Sequence, residues 1–335
     1  MNKIFAIIFI VAVSISCNHF IPENYYACEG NTQGTLFHIT YQYDSELCLD
    51  MDSLLGAFSK SLSNYDSESL ISRVNTNQTN IPDAYFLRMF EAATEVNQNT
   101  HGAFDITIAP VANALGFGWE HHEPITKIDT VLILDLLQNV GMEKISIENG
   151  LIVKSNQNIQ IIGNGIAQGL SVDIVSEFLK EHSITNFLVE IGGELYASGL
   201  SPDLDPWEVG VDKPIKGSGY DTRETQIILN FSDWAVATSG NYRKYLELGS
   251  ESLGHSIDPR TGFPARNNLL SVTVLAKTCV LADAYATAFM VLGLDESLEI
   301  VENTDTMEAY FIYLDKKSGN IETTSTSGFD AFISY

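Results

Sequence analysis

The run NFLVEIGGELYASG, residues 186–199, constrains the fold more than any other stretch of the chain. Branched and aromatic residues stand on either side of two glycines, which accept backbone angles that other residues avoid, so it reads as strand, double glycine, strand. KISIENGLIVKS (144–155) repeats the pattern around Asn149-Gly150, a strong hairpin signal. GTLFHITYQY (34–43) alternates as a strand, and GAFDITIAP (102–110) begins at glycine, runs β-branched and stops at Pro110. WEVGVDKP and TQIILNF continue the β pattern around a loop at 212–223. SVTVLA and the segments near 308–314 and 329–334 add strands towards the C-terminus.

Helical periodicity falls at 50–62, 84–99, 130–140 and about 280–292, and GNGIAQGLSVDIVSEFLKEH (163–182) is a glycine-rich approach to an amphipathic helix. Strands and helices mix without strict βαβ alternation. The expected architecture is therefore α+β, a single large two-lobed domain of mixed sheets and helices, rather than a doubly wound sheet.

The N-terminus reads MNKIFAIIFIVAVSISCNHF. Lys3, the apolar run from Ile4 to Val13 and the small residues after it describe a secretory leader too short to span a bilayer. Ser14-Ile15-Ser16-Cys17 resembles a bacterial lipobox with Cys17 as the lipidated residue, although Ser14 departs from the usual aliphatic residue; the alternative is a plain leader cut near Ser16. The expected division is a signal peptide over 1–16, a tether over 17–30 and one domain over 31–335. An exported bacterial lipoprotein on the periplasmic side of a membrane is the localisation this implies.

The formal net charge of −25 argues against nucleic acid and against adsorption to anionic lipid. It leaves room for an anionic small molecule neutralised locally by a cation or by backbone amides. Four cysteines, with no CxxC and no His/Cys cluster, give no zinc signature. Cys28 and Cys48 flank a candidate hairpin and either pair or remain thiols, while Cys279 lies in an apolar run and reads as core.

Chemistry concentrates in four places. Asp283 and Thr287 are four residues apart on a helix, so a carboxylate and a hydroxyl share one face and suit Mg²⁺ or Ca²⁺. The bland alternative is a helix cap and a packed threonine. GNGIAQG is either phosphate-binding or tight packing, and ATSG (237–240) is either a turn ahead of a helix or an anion contact. His255, in GHSIDPRTGFPA, is either a general base or a structural histidine, beside an Asp258–Arg260 pair that locks the turn.

In chain order, GTLFHITY, LSNYDSESLISRVN, GAFDITIAPVANALGFG, GIAQGLSVD, FLVEIGGELYASG, AVATSGNYRKY, HSIDPRTGFP and SVTVLAKTCVLADAYATAFMVLG together resemble the ApbE family of FAD:protein FMN transferases. The resemblance implies transfer of the FMN moiety of FAD to a threonine of an exported flavoprotein, with release of AMP. It implies FAD as substrate, Mg²⁺ or Ca²⁺ as cofactor, and a flavin-acceptor protein as partner. It places Gly165 (through its carbonyl), Asp283 and Thr287 at the metal and His255 at the acceptor hydroxyl. Tyr65 falls where an aromatic ring stacks, Ala103, Phe104 and Asp105 in a flavin-nucleotide segment, and Thr238 and Ser239 at phosphate or ribose. Gln33, Gln168 and Ile257 complete the expected nucleotide contacts.

Departures are Gln33 for a methionine, Gln168 for lysine or glutamate, and Ile162 for an aspartate. Glu190 and Glu194 stand where Asn and Asp are frequent. Two further readings stay open, an FAD pyrophosphatase giving FMN and AMP, and a lipoprotein that binds FAD without turnover.

Overall fold

A computed structural model describes residues 24–120, 125, 127–215, 224–241, 245–248 and 251–334. The leader, Cys17, the first part of the tether and most of the 212–223 loop lie outside the described residues.

The chain opens with β1 (Tyr25–Thr32) and β2 (Thr35–Gln42). Gln33 and Gly34 join them with φ of 51° and 75°, the left-handed pair that a two-residue hairpin turn demands. Residues 25–30, expected in the tether, are thus an edge strand, and a Cys28–Cys48 disulfide ties it to α1 (Cys48–Leu62). Next come α2 (Leu70–Asn75) and α3 (Ala84–Asn99), capped by the Ser69 and Asp83 side chains.

The segment 102–110, expected as a strand, is instead a turn, a 3₁₀ helix over Ile106–Ile108 and the start of α4 (Ala109–Ala114). Asp105 accepts the Thr107 N–H and Pro110 sits in the first helical turn, so capping outweighs β propensity here.

The middle of the chain holds α5 (Thr130–Leu136), β3 (Ile145–Glu148), β4 (Leu151–Lys154), α6 (Ala167–Glu181), β5 (Phe187–Ile191) and β6 (Glu194–Ser198). β7 (Trp207–Asp212), β8 (Thr225–Phe231) and β9 (Trp234–Gly240) follow. ATSG is the end of β9 and no helix succeeds it; β10 (Tyr245–Leu248) and β11 (Glu251–Gly254) do. The chain then forms β12 (Ile257–Asp258), β13 (Phe263–Pro264), β14 (Leu269–Ala276), α7 (Cys279–Leu292), α8 (Leu294–Glu302), β15 (Met307–Leu314) and β16 (Ile321–Ser325). The strand expected over 329–334 is a 3₁₀ turn at Phe329–Phe332 and a single bridge at Ile333.

Eight strands form one sheet in the order β1-β2-β5-β6-β9-β14-β15-β16, antiparallel throughout. Alternation decides its faces. Phe37, Ile39, Val189, Val272 and Phe311 join a main core with α1, α3, α6 and α7. Leu195, Val236, Leu275 and Ile312 join a second core beneath the β7–β8 hairpin. The α+β domain expected from the sequence is thus a sheet with helices on one face and a hairpin on the other. α7 carries Ala282, Ala284, Ala286 and Ala288, all fully buried, and these small residues let it lie close against its neighbours. No described helix is long and apolar enough to cross a membrane.

Candidate functional site

α6 and α7 cross at Gly169, where a Cβ would lie 2.8 Å from the Cβ of Asp283. The closeness allows a reciprocal arrangement. The Gly169 N–H donates to Asp283 Oδ2 at 3.0 Å, so a residue of α7 receives the first turn of α6. In return, Asp173 of α6 accepts the N–H groups of Cys279 and Val280 at 2.8 and 2.9 Å, the otherwise orphaned donors at the start of α7.

Both carboxyls are buried, Asp283 at 5% and Asp173 at 6% exposure. Burial is the main cause that lifts Asp283 to about 7, opposed by the Gly169 N–H and reinforced by the charge of Asp173. Burial likewise raises Asp173 to about 6, against the pull of the Val280 and Cys279 N–H groups. The free Cys279 thiol beside them is also pushed up, first by burial.

One turn along α7, Thr287 meets the loop before α6. Gly165 has φ of 79°, and a Cβ there would fall 2.7 Å from Thr287 Oγ1. Glycine is therefore required by conformation and by space. Ser239, at the end of β9, brings its hydroxyl to 3.5 Å from the same Thr287 oxygen. One carboxylate, one hydroxyl and the backbone of a glycine are hard oxygen donors. A buried carboxylate gains from a cation that offsets its lost hydration, so the residues present fit Mg²⁺ or Ca²⁺. Among the described residues no three His, Cys, Asp or Glu side chains converge, which leaves Asp283 as the charged member of this set.

The loop that carries Gly165 is held by two asparagines that the sequence did not single out. Asn75 brackets Ile161, donating to its carbonyl at 2.8 Å and accepting its N–H at 2.7 Å. Asn64 donates to the same carbonyl at 2.8 Å and accepts the Gly163 N–H at 3.0 Å. Both side chains are buried, so an extended segment without a strand partner keeps its polar groups satisfied. Ile162 packs with Ala109, Ala112 and Ile257, an apolar patch where a carboxylate would have no partner.

His255 follows β11, is half-buried, and meets the edge of the Phe117 ring at a centroid distance of 6.3 Å. The turn after it is locked as the sequence indicated. Asp258 accepts the Arg260 backbone N–H at 3.0 Å, Nε at 2.8 Å and Nη2 at 2.9 Å. Gly262, with φ of 80°, lies where a Cβ would press on Ile133 of α5.

A cleft of about 930 Å³ runs through these elements, and every residue that the family resemblance places at metal, acceptor or nucleotide lines it. Gly165, Asp283 and Thr287, the set expected at a metal, share its wall with His255 and Ile257. Tyr65 is 71% exposed, leaving a ring face available for stacking. Ala103 and Phe104 are buried, and Asp105 is spent on its own fold: its oxygens accept from Thr107 N and Oγ1 at 2.7 and 2.6 Å and from Met142 N at 3.0 Å. Burial raises its pKa against those bonds. Gln33 donates to Ser171 Oγ at 2.7 Å, and the Gln168 amide lies over Gly192, where a Cβ would collide with it. Thr238 meets Thr273 across the β9–β14 pair at 2.9 Å, while Ser239 faces Thr287. Glu190, Glu194 and residues 208–212 of β7 line the remainder.

A model of the ApbE family matches residues 33–311. The FAD:protein FMN transferase of Vibrio cholerae is 33% identical over 322 residues, covering 93% of this chain and 94% of the relative. That of Haemophilus influenzae is 31% identical over 345 residues and covers 98% of each. Among solved structures, the flavin transferase ApbE from Vibrio cholerae has a TM-score of 0.82 at 31% identity, covering 92% of this chain and 99% of that one. The apo Pseudomonas stutzeri flavinyl transferase ApbE has a TM-score of 0.80 at 29% identity, covering 92% and 96%. Matched along most of its length in both sequence and fold, this chain belongs to the ApbE family.

Proposed function

We propose that this chain transfers the FMN part of FAD to a protein hydroxyl, with a divalent cation, and releases AMP. The observation that carries this reading is the single cleft in which Asp283, Thr287, Gly165 and His255 come together, in a fold shared with flavin transferases. The acceptor oxygen forms a bond to the FMN-side phosphorus, the bond from that phosphorus to the bridging oxygen breaks, and that oxygen leaves on AMP. The acceptor's proton passes to His255, whose ordinary pKa near neutrality suits a base.

Asp283, Thr287 and the Gly165 carbonyl would hold the cation. Bound there, it supplies charge neutralisation for the pyrophosphate as negative charge shifts towards the leaving oxygen. The exposed Tyr65 ring offers a stacking surface for the flavin or the adenine, and the hydroxyl of Ser239 stands beside the cation set. A threonine acceptor on an exported flavoprotein, and an N-terminal lipid at Cys17 that keeps the enzyme at a periplasmic membrane surface, complete the proposal. Their support is the leader sequence and the family resemblance.

The test uses the purified chain with FAD, Mg²⁺ and exported flavoprotein domains, read by in-gel flavin fluorescence and AMP release. Labelled acceptor with stoichiometric AMP is expected. AMP without labelled protein would mean hydrolysis, and binding without AMP would mean storage. For His255→Ala, transfer falls by about 10²- to 10⁴-fold while FAD binding survives; unchanged transfer removes it as the base.

A further inference from the structure

The β7–β8 hairpin treats its two outer edges differently. The outer edge of β8 is covered: Leu229 bridges Ile333, and the Ser334 N–H donates to the Ile228 carbonyl at 2.9 Å. β7 pairs with β8 alone, and among the described residues nothing pairs with its other edge. Five consecutive β7 residues, Glu208 to Asp212, line the cleft that holds Asp283 and His255.

The register says which groups that edge presents. Ile228 turns its carbonyl to Ser334, away from β7, and Gly210 is its cross-strand partner. In an antiparallel ladder, opposed residues either exchange both bonds or both face outward. Gly210 therefore directs its N–H and C=O to the open edge, as does Glu208 two residues before it, while Val209 bonds across to Leu229.

Glycine at 210 is not demanded by the fold. Its φ lies outside the left-handed region, and a Cβ there would meet only Thr225 at 3.4 Å, an ordinary contact. A glycine inside a strand often marks a bulge or a place where a ligand or another backbone comes close; the register shift here falls after Val211, and Gly210 itself stays opposite Ile228.

We propose that the open edge of β7, centred on Gly210, docks the protein substrate by strand addition. An extended segment of the acceptor would lie along Glu208 and Gly210 and exchange main-chain hydrogen bonds with them, so that its hydroxyl-bearing residue reaches the cleft. The occupant is a polypeptide because the edge offers donors and acceptors alternating at strand spacing, which a second strand matches and a dinucleotide does not. An edge left open inside a cleft, with no proline or lysine between Trp207 and Asp212 and with Pro206 and Lys213-Pro214 marking its ends, is accessible to a segment steered there but poorly placed for unguided aggregation. Main-chain recognition also accommodates acceptors of differing sequence, with side chains tuning the choice.

This proposal rests on the transferase reading, and the experiment separates the two. The probe is a recombinant exported flavoprotein domain that the wild-type chain labels from FAD and Mg²⁺. If wild type labels no acceptor, both readings fall. With labelling established, Gly210→Val adds a branched side chain to the edge. The KM for the acceptor is expected to rise at least about tenfold, with FAD breakdown in the absence of acceptor within about twofold of wild type. An unchanged acceptor KM, or an equal loss in both assays, overturns strand addition.

Hydrogen exchange on the wild-type chain keeps the test independent of the variant's folding. Acceptor is expected to slow the Gly210 amide at least about tenfold and to leave Val209, already bonded to β8, unchanged. Protection of Gly210 by FAD alone, or none with acceptor bound, overturns the proposal.

Discussion

The α6–α7 seam and the open edge of β7 face the same cleft, yet they are built on opposite terms. In the seam, two carboxyls below a tenth exposed share three backbone N–H groups, and Gly165 and Gly169 sit where no Cβ fits. Along β7, side chains alternate between buried and open and the strand is paired on one side only. The seam is over-determined, as a site must be if its oxygens are to stay fixed while charge moves. The edge is under-determined, which is what a surface meeting a second macromolecule requires. Stability and chemistry should therefore fail together at the seam and separately at the edge.

The largest effect is expected at Asp283. Asp283→Ala removes the charged member of the proposed cation set and should lower AMP release by about 10³-fold or more. Isothermal titration with Mg²⁺ should show binding lost as well. Full AMP release would sink the assignment of the cation to this seam.

Asp173→Ala comes next. It strands two buried N–H groups at the start of α7, at about 1–3 kcal/mol each. Urea unfolding should show that loss, together with weaker Mg²⁺ binding, although Asp173 is not among the cation's donors. A stable variant would mean that the seam is less constrained than its bonds imply.

The pH dependence sharpens the same point. Asp173 titrates at about 6 in the folded chain, above its ordinary 3.8. The contribution is thus fully present below about 3.8 and is lost as pH rises through about 6. Compared in EDTA, the stability of wild type relative to Asp173→Asn should be greatest near pH 4 and shrink by about 2–3 kcal/mol by pH 7. A difference that stays flat across that window would remove burial as the cause.

The smallest effect is expected on the edge strand. Glu208 is exposed and, among the described residues, its carboxylate accepts only from Ser334 Oγ at 2.7 Å. Glu208→Ala should change stability by no more than about 0.5 kcal/mol and leave AMP release in the absence of acceptor unaltered. A larger loss, seen in thermal melts, would show that the edge carries weight the comparison denies it.

Much of the fold was legible because its signals are local. Gln33-Gly34, Asn149-Gly150 and Gly192-Gly193 each carry positive φ and each closes a hairpin. The misread segments are those where a short-range signal competed with propensity. In 102–110 the Asp105 cap and Pro110 start a helix through a β-branched run. In ATSG the hydroxyls resemble a turn, yet Thr238 and Ser239 extend β9 opposite Thr273 and Val272.

The site divides the same way. Spacing on one helix leaves Asp283 and Thr287 as open to a cap and a packed threonine as to a cation pair, and His255 as open to a structural role; the family resemblance is what singles them out. Asn64, Asn75 and Asp173 give no such sign, because their partners lie 97, 86 and 106 residues away along the chain. The opening in β7 is likewise invisible before the sheet order is known.

Those long-range bonds set a time as well as a place. As the chain leaves the ribosome, Asn64 and Asn75 wait for Ile161, and Asp173 waits for the start of α7. The residues proposed for the cation lie between Gly165, before α6, and Thr287, on α7, so a nascent chain that stops short of Thr287 lacks the complete set. On the proposed mechanism, cleavage of FAD therefore waits until α7 is complete.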